Sequence, residues 1–192
     1  MIGRQAKTGI PACLAVVVLL CLLFPVRAAA EARIGEVVVA NSQRELLLYF
    51  ELQDAITPEM EEGLRSGLPL ALTFLVELNR QGVQGPERNL LRLEFEHRLR
   101  YDNLKDEYRV TRESQQETQR GTSSLAEARS WLKRVDGLAL LPLAQLSPDE
   151  SYQVRIKAQL AETDLPPALH RLLPFRELWG FETAWQIVDF SY

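Results

Sequence analysis

Residues 89–118, NLLRLEFEHRLRYDNLKDEYRVTRESQQET, decide how this chain is read. For about a dozen residues apolar and charged side chains alternate, the pattern breaks at Asp102-Asn103, and then it resumes. A period of two places alternate side chains on opposite faces of a strand, so the stretch reads as a long two-stranded hairpin with one dry and one wet face. Asp and Asn tolerate the positive φ of a two-residue turn, and such a turn at Asp102-Asn103 sets Tyr101 opposite Leu104. In that register the wet face pairs Arg98 with Glu107, Glu96 with Arg109 and Arg92 with Glu113, and Arg100 with Lys105 is the one repulsive pair. The dry face places His97 beside Tyr108 and Phe95 beside Val110. A turn longer by four residues would oppose Arg100 to Arg109 and Glu96 to Glu113, like charges that cost roughly a few tenths of a kcal/mol each.

Working outward, strands are expected at Ile34 to Ala40, a β-branched run, and at Glu45 to Gln53 and Leu68 to Arg80, where apolar residues recur at alternate positions. Between the second and third lies a short helix. Thr57 is its N-cap, Pro58 its first residue, Glu59, Glu61 and Glu62 favour its positive end, and Ser66-Gly67 stops it. A loop with Gly82, Gly85 and Pro86 leads into the hairpin. After it, Ser124 and Glu127 have capping-box spacing for a second helix, Leu125 to Val135, which Gly137 ends. Leu138 to Leu143 reads as a strand in which Pro142 argues for an edge or an irregular segment. From Tyr152 to Leu160 the alternation is cleanest, with Tyr152, Val154, Ile156, Ala158 and Leu160 inward. Asp164 to Pro174 reads as a proline-started helical turn, and a last strand at about Phe181 to Phe190 carries Trp185 and Phe190. Seven or eight strands, two helices and no βαβ rhythm predict a mainly β chain, an antiparallel β-sandwich with two short helices in its connections. An immunoglobulin-like division of the strands or a partly open barrel is the competitor.

The first residues do not belong to that fold. Arg4 and Lys7 precede an apolar run from Ile10 to Phe24, and Val26-Arg27-Ala28 or Ala28-Ala29-Ala30 supplies small residues for cleavage. The run is shorter than the roughly 20 residues that span a bilayer as a helix. The expectation is therefore a signal peptide at 1–28, cleaved after 28 or 30, followed by one domain at 31–192 in the periplasm. The alternative is an inner-membrane anchor at 10–24. Both cysteines, Cys13 and Cys21, fall in the leader, so the exported chain has no disulfide, Cys metal site or Cys nucleophile. Export removes Arg4, Lys7 and Arg27, lowering Lys+Arg from 22 to 19 against 26 Asp+Glu, a formal charge of −7. No basic run offsets that balance, which argues against a nucleic-acid partner.

Tyr101-Asp102-Asn103-Leu104 with Tyr108, Ser124-Leu125-Ala126-Glu127-Ala128, Leu165-Pro166 and Trp185 give the chain its one family likeness. It resembles the uncharacterised bacterial exported proteins of domain-of-unknown-function family 4390, over roughly Ile34 to Phe190. The resemblance implies a single-domain Gram-negative envelope protein whose gene lies near that of a nitrogen-responsive sensor kinase, a neighbourhood and not a mechanism, which makes a role accessory to an envelope sensor one expectation. It supplies no catalytic residues.

Chemistry is thinly marked. His97 has Glu94 and Glu96 nearby, but strand geometry sends those carboxylates to the other face, leaving His97 with Phe95 and Leu99 as a packing residue. His170 reads as a surface side chain. Asp102, Asp106 and Glu107 cluster at the hairpin tip without the order of a calcium loop. There is no Gly-x-Ser-x-Gly elbow, Ser-x-x-Lys pair, His-Glu-x-x-His helix or Gly-rich phosphate cradle. The expectation is no enzyme, no catalytic residues, no metal and no cofactor. Phe175, Trp179 and Phe181 break the strand alternation and form a candidate apolar rim for a partner, a membrane surface or a ligand. Three functions follow, in this order: an envelope protein-interaction module acting through an edge strand or that rim, a carrier of a lipid or other apolar ligand in a β cavity, and a hydrolase with an unmarked carboxylate pair.

Overall fold

Strands form where the apolar alternation is regular, and helices where a capping residue precedes a 3.6-residue stripe. The computed structural model describes residues 31–113, 117–160 and 180–192. The leader, His170, Phe175, Trp179, Leu165-Pro166 and the turn expected at Asp164 to Pro174 lie outside them. In chain order the elements are β1 (Arg33–Asn41), β2 (Glu45–Gln53), α1 (Pro58–Arg65), β3 (Leu70–Arg80), β4 (Asn89–Asp102), β5 (Glu107–Arg112), β6 (Thr118–Thr122), α2 (Leu125–Lys133), β7 (Arg134–Pro142), β8 (Ser151–Leu160) and β9 (Gln186–Ser191). They make two antiparallel sheets. The smaller has the order β1-β2-β7 and the larger β6-β5-β4-β3-β8-β9. Both sheets end on open edges, so the architecture is a β-sandwich and not a barrel. Three strands facing six also differ from the nearly equal sheets of an immunoglobulin domain.

The larger sheet is the platform. Its inner face carries Phe74 and Val76 of β3, Phe95, His97 and Leu99 of β4, and Val154, Ile156 and Ala158 of β8, all buried. Leu48, Phe50 and Leu52 of β2 close over part of it, and Ala128 and Leu132 of α2 belong to the same core. The helices start as their sequences dictate. The Thr57 hydroxyl accepts from the Met60 N–H and that of Ser124 from the Glu127 N–H, each satisfying one of the free donors of a first turn. Arg129 of α2 pairs with Glu61 of α1.

The hairpin register differs from the expected one. Tyr101 faces Tyr108, not Leu104, and Arg100 faces Arg109. Residues 103–106 form a four-residue loop instead of a two-residue turn. Asp102 explains the choice: its Oδ1 accepts the N–H groups of Leu104 and Lys105 at 3.1 and 3.2 Å. Asp106 takes the left-handed conformation at φ 52° that closes such a loop. The Tyr101 and Tyr108 rings then meet at 4.6 Å, and the Tyr101 hydroxyl donates to Asp106 Oδ1 at 2.5 Å. The like-charge cost is relieved along the strands: Arg109 pairs with Asp102 and Glu107 at 3.2 Å each, and Arg98 pairs with Glu96. A contact between aromatic rings is worth roughly 0.5–1.5 kcal/mol, more than the repulsion it tolerates. In this register His97 faces Arg112 and not Tyr108, and Leu99, not Phe95, faces Val110.

Three further boundaries move. α2 ends at Lys133, and Val135 already belongs to β7. Gly137 is no helix stop; with φ 73° it sits where the β2–β7 register shifts, so a bulge, and not a cap, is why glycine stands there. β7 lies at the edge of its sheet and ends on Pro142, where the missing N–H costs no ladder bond. The segment after β5 forms a ninth strand, β6, paired with β5. β9 is shorter than the span from Phe181, although Glu182 still bridges to Gln159.

The turn account gives a direct expectation. Replacing Asp102 with Ala should cost about 1–2 kcal/mol, the size of a lost side-chain cap with its ion pair, whereas Asp102→Asn keeps the cap and should cost less than half as much. Urea unfolding of the two variants checks it, and equal losses would mean that the ion pair alone matters.

Candidate functional site

His97 shows what the interior does. It is 1 % exposed, its ring meets Phe74 edge-on at 5.0 Å and Phe95 at 5.6 Å, and its Nδ1 lies 3.0 Å from the Leu132 carbonyl of α2. A carbonyl only accepts, so Nδ1 carries the proton and donates it. Burial pushes the His97 pKa down to about 4; the bond to Leu132 opposes that shift, and the positive charge of Arg112 adds to it. The imidazole is therefore neutral at ordinary pH and serves as a strut between β4 and α2. Glu94 and Glu96 pair with β3 at positions that alternate with His97, on the opposite face of the sheet.

Glu59 is held below its ordinary range by the Thr57 hydroxyl and then by its own backbone N–H, which is capping at the start of α1. Among the described residues, two of the open clefts lie on outer faces. One, of about 300 Å³, lies over the smaller sheet among Glu36, Val38, Tyr49, Glu51, Gln53, Arg134 and Asp136. The other, of about 500 Å³, lies over β4 and β5 among Arg98, Arg100, Asp102, Arg109, Thr111 and Glu113.

Of the expected apolar rim, Phe181 alone falls within the described residues. It is half-buried against the core, and its carbonyl accepts from the Leu160 N–H at 3.0 Å. Thr183 continues the same line: its N–H donates to the Ala158 carbonyl and its hydroxyl accepts from the Ala158 N–H. Phe181 thus helps to extend β9 along β8. Trp185, which follows, lies on the outer face, with Arg155 at 4.5 Å and Lys157 at 5.5 Å from its ring.

The profile of the family described as a domain of unknown function, DUF4390, matches residues 29–189. The chain belongs to the DUF4390 family. The match spans β1 to β8, both helices and the first part of β9, and the family is the one that the sequence resembles. No curated protein and no solved structure matches the chain.

Among the described residues the exposed large apolar side chains are Leu104 in the β4–β5 loop, Tyr192 after β9, and Val38 and Ile187 on edge strands. β1 is one edge of the smaller sheet and β9 one edge of the larger, and β1 packs against β8 and β9, so the two edges share a flank. Val38 of β1 is 45 % exposed and Ile187 of β9 is 48 % exposed. Sequence reading missed both. Val37-Val38-Val39 is apolar throughout, so alternation could not separate its inward members from its outward one.

The His97 geometry fixes a pH dependence. A pKa depressed in the fold means that the unfolded chain binds the proton first, so stability is full above about pH 6.5 and falls as pH drops toward 4. The loss attributable to this residue should approach about 3 kcal/mol at pH 4. Urea unfolding of the parent and of His97→Phe at pH 7 and pH 4.5 should show a smaller pH loss in the variant; equal losses would remove His97 as the cause.

Proposed function

We propose that this DUF4390 chain is an envelope protein-interaction module, exported by its first 28–30 residues and without enzymatic activity, that adds an extended segment of a partner to the flank shared by β1 and β9. The observation that carries this reading is the pair of edge strands, unpaired on one side among the described residues and in contact along one flank, each with an exposed β-branched residue, Val38 and Ile187. A free edge offers a row of N–H and C=O groups to an incoming strand, and neighbouring side chains give that strand its specificity. The cleft that contains Val38 adds Glu36, Glu51 and Asp136 against Arg134, so a basic side chain in the partner suits the site.

The carrier reading has weaker support. Between the sheets Phe74, Val76, Leu78, Val154 and Ile156 are all fully buried in one continuous cluster with Leu48 and Leu52 of the facing sheet, and both clefts open on outer faces. An acyl chain needs an apolar cavity of some 300 Å³ or more inside the fold.

Two exposed substitutions test the proposal. Val38→Lys and Ile187→Lys should each change stability by less than about 0.5 kcal/mol, because neither residue is core. In the envelope of the parent organism, a photo-crosslinking residue at position 38 or 187 should trap one discrete protein partner, and the lysine at the other position should reduce that adduct. Absence of an adduct at both positions, with efficient labelling at a control surface position, would overturn the proposal.

A further inference from the structure

Two arginines stand at the edge of the larger sheet, on the side that α2 covers: Arg112 of β5 is half-buried and Arg120 of β6 is exposed. On β5 the inward residues are Tyr108, Val110 and Arg112, and β6 sets Thr122, Arg120 and Thr118 opposite them. Tyr108 and Val110 are buried, as alternation requires. Arg112 and Arg120 are diagonal neighbours on adjacent strands, with Cβ atoms expected roughly 5–8 Å apart. Loss of water lowers the Arg112 pKa first, and the charge of Arg120 lowers it further. Asp136 of β7 favours the Arg112 charge from a distance but forms no ion pair with it. Among the described residues, the ion pairs and side-chain hydrogen bonds of this part of the sheet are made by Arg98, Arg109 and Thr122, and none by Arg112 or Arg120.

The second observation is the posture of Arg120. Its guanidinium lies over the Trp131 ring of α2, 5.7 Å from the centroid. Stacking uses a face of the guanidinium and leaves its N–H edges free, so Trp131 holds the fork in place without consuming its donors. Arg112 stands diagonally across the β5–β6 ladder, near enough to feel the Arg120 charge, and a pair of guanidiniums suits an oxyanion, whose oxygens accept paired N–H bonds.

We propose that Arg112 and Arg120, with Trp131 as a shelf, form an oxyanion site that takes a phosphate group, either as the free ion or as the headgroup of a phospholipid. The site is independent of the strand-edge reading: it lies on β5, β6 and α2, not on β1 and β9. A bound anion turns mutual repulsion into charge-assisted hydrogen bonds and ties β6 to α2. It also reaches His97, which faces Arg112 across the β4–β5 ladder. The other groups against that imidazole are the Phe74 and Phe95 rings and the Leu132 carbonyl, so Arg112 is the charge through which a ligand would be felt.

The test is a titration of the purified chain with inorganic phosphate, followed by the Nε–Hε resonances of arginine and the imidazole resonances of His97 at constant ionic strength. The expected result is saturable shifts at Arg112 and Arg120, an upward move of the His97 midpoint, and a loss of affinity of about tenfold or more in Arg112→Gln and in Arg120→Gln. Arg88→Gln, an exposed arginine elsewhere, should bind as the parent does. Co-sedimentation with phosphatidylcholine vesicles, with and without phosphatidylglycerol, separates the two sources. Binding that requires phosphatidylglycerol and is lost in the double variant assigns the site to a headgroup; phosphate binding without vesicle binding assigns it to the free ion. Shifts that chloride reproduces, or equal weakening by Arg88→Gln, would overturn the site. The parent resonances alone separate saturable phosphate binding from a general salt effect, even if an arginine variant fails to fold.

Discussion

The structure depends on one buried aromatic contact set centred on Phe74. This ring, on the third strand, meets Phe50 of the facing sheet at 5.6 Å, stacks on Phe95 at 5.4 Å and takes His97 against its edge. Through His97 the cluster reaches the Leu132 carbonyl, so a single group of side chains joins β2, β3, β4 and α2. Removing a ring of this size from a packed core typically costs about 3–5 kcal/mol, a large part of the stability of a domain this small. No disulfide shares the load, because both cysteines precede residue 22. Burial alone must hold the fold, which is why the one titratable ring inside it is kept neutral.

The outer face of the larger sheet is governed by a different term. Glu77 stands between Arg155 at 3.1 Å and Arg92 at 3.9 Å, and Asp189 accepts from Gln81 and Gln153. Exposed pairs of this kind contribute little each, so they select a register and keep the face soluble more than they add stability. With the interior committed to packing and the broad faces to pairing, the strand edges and the Arg112–Arg120 pair are the features among the described residues on which the two proposals rest. Both functional readings of this DUF4390 chain rest on that division.

Much of this was legible in the residues. β2 matched its expected bounds because Leu46, Leu48, Phe50 and Leu52 alternate without interruption, and α1 was marked by Thr57 and Pro58, whose roles are local. The hairpin register was not legible. It turns on whether Asp102 caps a four-residue loop and on a tyrosine contact across the ladder, and a pairing argument built from surface charges weighs the smaller energy. β6 was hidden because Thr118-Gln119-Arg120-Gly121-Thr122 is an exposed edge with no apolar face to show a period. Gly137 is ambiguous for a related reason, since a positive φ suits a helix stop and a bulge equally, and only the partner strand decides between them. Of the candidate site, Phe181 was legible as an apolar residue out of phase, but not as an extension of β9, because its bond to Leu160 is made by backbone. Leu104, the neighbour expected for Tyr101, instead stands 99 % exposed at the tip of the loop.

The central claim is a filled, stable scaffold with β1 and β9 left open at one flank, and native-state hydrogen exchange tests it most directly. In the isolated chain, amides of β3, β4 and β8 should exchange only through global unfolding, while the outward-facing amides of β1 and β9 exchange orders of magnitude faster. Protection of those β1 and β9 amides equal to that of β3 would contradict the account, because it would mean that the edges are already paired.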